Sequence, residues 1–171
     1  MSRGFLKEIA RNARYRWHMW MATAVKHLVV DGNNVGRAWG DTGKLWRKDA
    51  DAARAIVVER SRIWHDAMGW RVSVVFDGRG SELGVSMPTG ESTLVVAYSP
   101  VGVTADSIIE QWVSNSRSAT DCVVVTADRA LRDTVSAMGA ETIGSRAYRE
   151  WIERAEQTTQ RGLARMRDRN L

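Results

Sequence analysis

Residues 26–37 read KHLVVDGNNVGR, and this stretch decides the fold. Leu28, Val29 and Val30 form a short apolar run of buried-strand type. It ends abruptly on Asp31-Gly32-Asn33-Asn34, a cluster of turn-forming and polar residues. The pattern places a carboxylate at the carboxyl end of a strand. It returns twice, as VSVVFDG over residues 72–78 and as VVVTAD over residues 123–128. In open parallel α/β sheets the carboxyl ends of the strands share one edge, and ligands bind in the crevice outside it. Asp31, Asp77 and Asp128 are therefore expected to converge. Asp-Gly and Asn-Asn after a strand are also hairpin turn chemistry, but Gly36-Arg37-Ala38-Trp39-Gly40 does not read as a returning strand. The chain does supply the helical crossovers that a parallel sheet needs.

The first crossover begins at Asp49 or Asp51, either of which offers an N-cap. Ala53, Ile56, Val57, Ile63, Trp64, Ala67 and Met68 then recur at helical spacing until Gly69. Arg54, in its first turns, is expected near the acidic edge. Ahead of this helix, a loop with Trp39, Lys44, Trp46, Arg47 and Lys48 mixes basic and aromatic residues. Either it stacks bases and holds phosphates, or its two tryptophans cap the core. The second strand covers residues 71–76.

Residues 78–92, GRGSELGVSMPTGES, read as a Gly-rich lid or substrate rim. They miss the dinucleotide fingerprint, because Leu83 stands where the third glycine should follow Gly78 and Gly80. A third strand is expected over residues 94–98. After a break at 99–102, Thr104-Ala105-Asp106 opens a helix whose Ile108, Ile109, Trp112 and Val113 face the core. An acid in a first helical turn ordinarily serves the macrodipole. Asp106, however, follows a strand end and so falls on the same edge as the other three acids, with Glu110 one turn on. A fourth strand spans 122–125, Asp128 doubles as a potential N-cap for a helix over 129–138, a short fifth strand covers 141–143, and a last helix starts at about 145.

A chain of 171 residues suits one domain that buries roughly 70% of its unfolded surface, with no need of a disulfide or metal staple. The lone Cys122 lies in an apolar run and reads as a small core residue in a reducing compartment. No apolar run approaches the roughly 20 residues of a membrane span. The chain reads as soluble and cytoplasmic. Its net charge of +5 is unevenly placed: residues 1–26 carry six Lys or Arg against Glu8, and residues 146–171 carry seven Arg against four acids. The centre is therefore net acidic, which suits a protein whose periphery holds a polyanion while its centre holds cations.

The ends divide from the middle. Residues 1–26 are expected to be a basic N-terminal extension with Phe5, Ile9, Ala13, Trp17, Trp20 and Ala24 on one helical stripe. The extension is a polyanion-contacting helix, a presequence, or an untranslated stretch ahead of a start at Met21. Residues 27–155 form the domain, and residues 156–171 an Arg-rich tail with Arg161, Arg165 and Arg169 at i, i+4 spacing.

Four acids at one sheet edge are unfavourable unless cations or raised pKa values relieve them. Mg²⁺ or Mn²⁺ is the natural relief, because hard ions prefer oxygen ligands and are held by one or two carboxylates plus substrate phosphate. Two such ions roughly 4 Å apart would serve phosphodiester hydrolysis. His18, His27 and His65 are scattered and offer no competing triad. Asp77-x-Arg79-Gly80-Ser81 echoes the Asp-x-Asp-Gly-Thr of haloacid-dehalogenase phosphatases, but puts Arg79 where the acid/base Asp belongs. The non-enzyme alternative is an RNA- or ribosome-binding module on a nuclease-like fold.

Taken in order over residues 28–151, VVDGNNV, Ala53-Arg54, GWRVSVVFDG, the Thr-Ala-Asp ending at Asp106, the Val-Thr-Ala-Asp ending at Asp128, and Met138-Gly139-Ala140 resemble the YacP-like branch of the NYN domains, within the PIN-like nuclease superfamily. The resemblance implies a three-layer α/β/α fold around a mainly parallel sheet of about five strands. It also implies a divalent-metal-dependent endoribonuclease, some members of which act on mRNA at the ribosome. It carries metal binding onto Asp31, Asp77, Asp106 and Asp128, with Asn34 and Thr126 completing the catalytic set. Arg54, Lys44, Arg47, Lys48 and Arg79 are the basic residues expected to hold RNA. The chain departs from the family at Asn33, where a Tyr often stands. The basic N-terminal segment and the Arg-rich tail are not expected to belong to the family pattern.

Overall fold

A computed structural model describes the backbone of residues 26–169 and the side chains of residues 26–162. The stripe expected from Phe5 to Ala24 therefore lies outside the described residues, as do the side chains of Arg165 and Arg169.

Three apolar runs become the central strands. β1 (His27–Asp31) pairs in parallel with β2 (Arg71–Asp77) on one side and with β5 (Cys122–Val125) on the other. β4 (Leu94–Ser99) extends the sheet beyond β2, and β6 (Glu141–Ile143) extends it beyond β5, both in parallel. Among the described residues the mainly parallel sheet has six strands, one more than the sequence sets out. The additional one, β3 (Gly84–Ser86), lies inside the stretch expected to be a Gly-rich loop and pairs antiparallel with β4 at the edge. Three residues, two of them Gly and Ser, are too short to show an alternating pattern.

The pleat sorts the side chains. Leu28, Val30, Val72, Val74, Phe76 and Val125 face one core, and Val29, Val75, Val95, Ala97 and Val124 face another. The first core is covered by α1 (Gly32–Ala38), α3 (Ala50–Met68) and α6 (Ser145–Arg169). The second is covered by α4 (Ala105–Ser114) and α5 (Arg129–Ala137). Burial on both faces explains why these strands read as unbroken apolar runs. Asp49 is the N-cap of α3, its Oδ1 accepting from the Ala52 N–H at 2.9 Å.

The expected loop around Trp39 and Lys44 is instead α2 (Gly40–Trp46), which follows α1 almost directly. Here the reading in which the tryptophans cap the core prevails. Trp39 is buried, donates from its indole to the Ser145 carbonyl at 2.9 Å and stacks on Tyr148. Trp46 packs on Phe76. The chain runs through 156–169 without a break in α6.

The sheet order is β3-β4-β2-β1-β5-β6. The chain builds outward from β1 to β2 and β4, then returns to β1's other side as β5, so the order reverses between β1 and β5. A crevice is expected at the carboxyl ends of those two strands.

Candidate active site

Asp31 closes β1 in that crevice and is only 4% exposed. Its Oδ1 accepts from the Asn34 N–H at 3.1 Å, which makes it the N-cap of α1, and its Oδ2 accepts from the Thr126 hydroxyl at 2.9 Å. Thr126 is fully buried just past β5, and its Oγ1 in turn accepts from the Asp128 N–H at 3.0 Å. Asn34 ties the same two strand ends together, its Oδ1 accepting from the Ala127 N–H at 2.9 Å. The two hydrogen-bond bridges across the β1/β5 switch point thus run through the catalytic pair expected beside the acids.

Asp77 ends β2. One carboxylate oxygen accepts from the Asn33 amide and the other from the Ala105 N–H at 2.8 Å, so it bridges the start of α1 and the start of α4. Asn33, at the family's frequent Tyr position, is 6% exposed and cannot serve as a base-stacking platform. It holds Asp77 instead. Its remaining Oδ1 is buried without a partner. The sequence signalled only turn chemistry here, because the contact spans 44 residues.

Asp106 stands in the first turn of α4, whose N-cap is Thr104, with Oγ1 accepting from the Ser107 N–H at 3.2 Å. A helix-terminus acid should ionise easily, yet burial pushes the Asp106 carboxyl up, as do Asp128, Asp77 and Glu110. Asp128 is the N-cap of α5, its Oδ1 accepting from the Leu131 N–H at 3.0 Å, so its capping reading also holds. Asp31 is pushed up to about 6, first by burial, with Asp106 and Asp77 adding to it against the hydrogen bonds from Asn34 and Thr126. These mutual influences place all four acids, and Glu110, in one negative field.

The structure brings the acids to one edge without closing a cage. Among the described residues, no three Asp, Glu, His or Cys side chains are gathered to hold a metal ion by themselves. The donor chemistry still fits a hard cation: every group is oxygen, the field is in negative surplus, and the orphaned Asn33 Oδ1 lies beside Asp77.

Close packing of rings against backbone shapes this edge. A Cβ on Gly32 would overlap the Phe76 ring, and one on Gly36 would overlap Trp46. Trp46, Phe76 and Tyr98 surround the Arg54 guanidinium at 5.6, 5.9 and 6.0 Å. Arg54 also donates to Asp51 at 2.8 Å and to the Asp77 carbonyl at 3.4 Å. That last contact puts the start of α3 at the acidic edge. Arg47 and Lys48 are exposed just ahead of α3, Arg79 is exposed two residues past Asp77, and Lys44 is exposed in the last turn of α2. Arg54 is held among rings rather than presented to solvent.

A mostly parallel sheet of this order, flanked by helices on both faces, is the fold of the NYN class of nuclease domains. The profile of the YacP-like NYN domain family matches residues 28–170. The chain belongs to that family, whose domains are ribonucleases. The match runs through the Arg-rich segment, beyond residue 151 where the motif resemblance ends.

Two crystal structures of Rae1 (YacP) from Bacillus subtilis share the fold. One superposes with a TM-score of 0.71 at 24% identity, covering 85% of this chain and 84% of that one. The other, a tryptophan-to-leucine mutant, superposes with a TM-score of 0.70 at 23% identity, covering 84% and 85%. Comparison with curated proteins gives no match. No helix among the described residues is long and apolar enough to cross a membrane.

Proposed function

We propose that this chain is an endoribonuclease that hydrolyses RNA with Mg²⁺ or Mn²⁺ at the β1/β5 crevice. The observation that carries the reading is Asp31: a carboxyl 4% exposed at the switch point and pushed up to about 6 is where added positive charge has most to relieve. Asp31, Asp77, Asp106 and Asp128 are the acids that would hold an ion. Asp31 and Asp77 each already accept a hydrogen bond at both oxygens, from Asn34 and Thr126 and from Asn33 and Ala105, so an ion there shares their remaining lone pairs. With no closed cage, the ion is held by one or two acids, water and the RNA phosphate itself. When bound, it supplies a lowered water pKa and charge for the leaving oxygen. Thr126 and Asn34 keep the ends of β1 and β5 in register, while Arg47, Lys48, Lys44 and Arg79 draw in the phosphate backbone. Arg54 supports that rim through the rings around it. The family resemblance extends the substrate to mRNA at the ribosome, and the single buried thiol, Cys122, suits the cytoplasm.

A non-catalytic RNA-binding module is the second reading, favoured by the absence of any three gathered ligand side chains among the described residues. Cleavage of a single-stranded RNA in Mg²⁺ or Mn²⁺, abolished by chelator and leaving 5′-phosphate and 3′-hydroxyl ends, is the expected result. Binding without cleavage supports the module, and products ending in 2′,3′-cyclic phosphate rule out metal-assisted water attack.

A further inference from the structure

The edge of the sheet opposite the acids carries a feature the ribonuclease reading does not use. Between the last turns of α3 and the middle of α6 lies a groove of about 360 Å³, lined by Trp64, Ala67, Met68, Trp151, Ala155 and Thr158 among others. Two of its lining residues, Trp64 and Trp151, belong to a cluster of three tryptophans. Trp64 stacks on Trp151 at 5.1 Å, and Trp70 meets both edge-on, at 5.7 and 6.3 Å. Trp64 is 7% exposed, and its indole N–H is buried without a hydrogen-bond partner. Met68, on the rim, is 45% exposed.

The chain enters the domain beside this groove. The ammonium of Lys26 lies over the Trp70 ring, 5.3 Å from its centroid. The twenty-five residues ahead of Lys26 carry Phe5, Ile9, Ala13, Trp17, Trp20 and Ala24 at helical spacing. Trp20 and Trp17 precede Lys26 by six and nine residues, roughly 9 and 14 Å along a helix, which is within reach of the groove.

We propose that residues 1–25 dock their apolar stripe into the α3/α6 groove, with Trp17 and Trp20 against Trp64 and Trp151. Apolar surface on both partners leaves water in one step. The off-stripe Arg3, Lys7, Arg11 and Arg14 then face outward and add a basic surface at the edge away from the acids. The inference does not depend on the nuclease reading.

The test is hydrogen–deuterium exchange on the full chain at two protein concentrations, with Ala67→Glu and Trp17→Ser/Trp20→Ser as variants. Ala67 is exposed on the rim, so a charge there leaves the domain core intact. Amides of residues 5–24 should be protected at least tenfold over the unstructured rate in the parent. Both variants should lose that protection, with the amides of β1 and β5 unchanged. No protection in the parent overturns the proposal. Protection that survives Ala67→Glu places the segment elsewhere and overturns it too. Protection that appears only at high concentration replaces it with docking between two copies.

Discussion

Replacing Asp31 with Asn should make the protein more stable and inactive at once, and the stability change should depend on pH in a way that only a buried acid produces. Asp31 is 4% exposed, and its carboxyl moves from an ordinary value of 3.8 to about 6. At about 1.4 kcal/mol per tenfold, its ionised form therefore costs about 3 kcal/mol in the folded state. Asparagine removes that charge but does not match the hydrogen bonds fully. Thr126 donates to Asp31 Oδ2 while already accepting from Asp128, so an amide N–H there should lose about 1 kcal/mol. The net gain above pH 7 is about 2 kcal/mol, or roughly 4–8 °C in Tm for a chain of this size.

The sign follows from the raised value. The parent's favourable contribution from a protonated Asp31 is complete below the unfolded value of 3.8 and is lost as pH rises through about 6. Below about pH 4 the variant should therefore be slightly less stable than the parent. The two should cross within the window, and the variant should lead above it. Melting curves of both proteins in chelator from pH 4 to 8 measure the difference, in which groups remote from Asp31 cancel. A difference that stays flat across the window, or a variant less stable than the parent at pH 8, refutes the argument from burial and crowding.

Two further outcomes follow from the same geometry. Asp106→Asn should lower RNA cleavage by orders of magnitude at limiting metal, because one charge leaves the cluster. Affinity for RNA should hold or tighten and Tm should stay level or rise, since Thr104 remains the α4 cap; parent-like turnover would remove Asp106 from the site. Gly36→Ala should destabilise by about 1–3 kcal/mol by displacing the Trp46 ring. The disturbance should spread to Arg54, so thermal melts should show a lower Tm and RNA binding should weaken, whereas Gly40→Ala, with open space around it, should do neither.

How much of this was legible depended on the range of the signal. The strand-end acids were readable because a run such as LVVD states both a buried strand and where it stops, and parallel pairing then puts all such stops on one edge. Asp106 was harder, since one residue in a first helical turn has a sufficient local explanation. What sets it apart is that burial first, and then Asp128, Asp77 and Glu110, push its carboxyl up against the helix dipole. Residues 84–86 gave no strand signal at all, because their pairing is dictated by β4, and α2 was hidden behind the glycines of GDTGKLW. Asn33 and Thr126 mark the limit most clearly. Each is a short polar residue in a turn by sequence, and each becomes part of the site through a partner 44 or 95 positions away. Thr126 stands between two acids, donating to Asp31 and accepting from the Asp128 backbone, so one hydroxyl fixes the spacing of the β1 and β5 ends. A serine could make both bonds, but a valine could make neither, and it would leave Asp31 buried with one of its two neutralising donors gone.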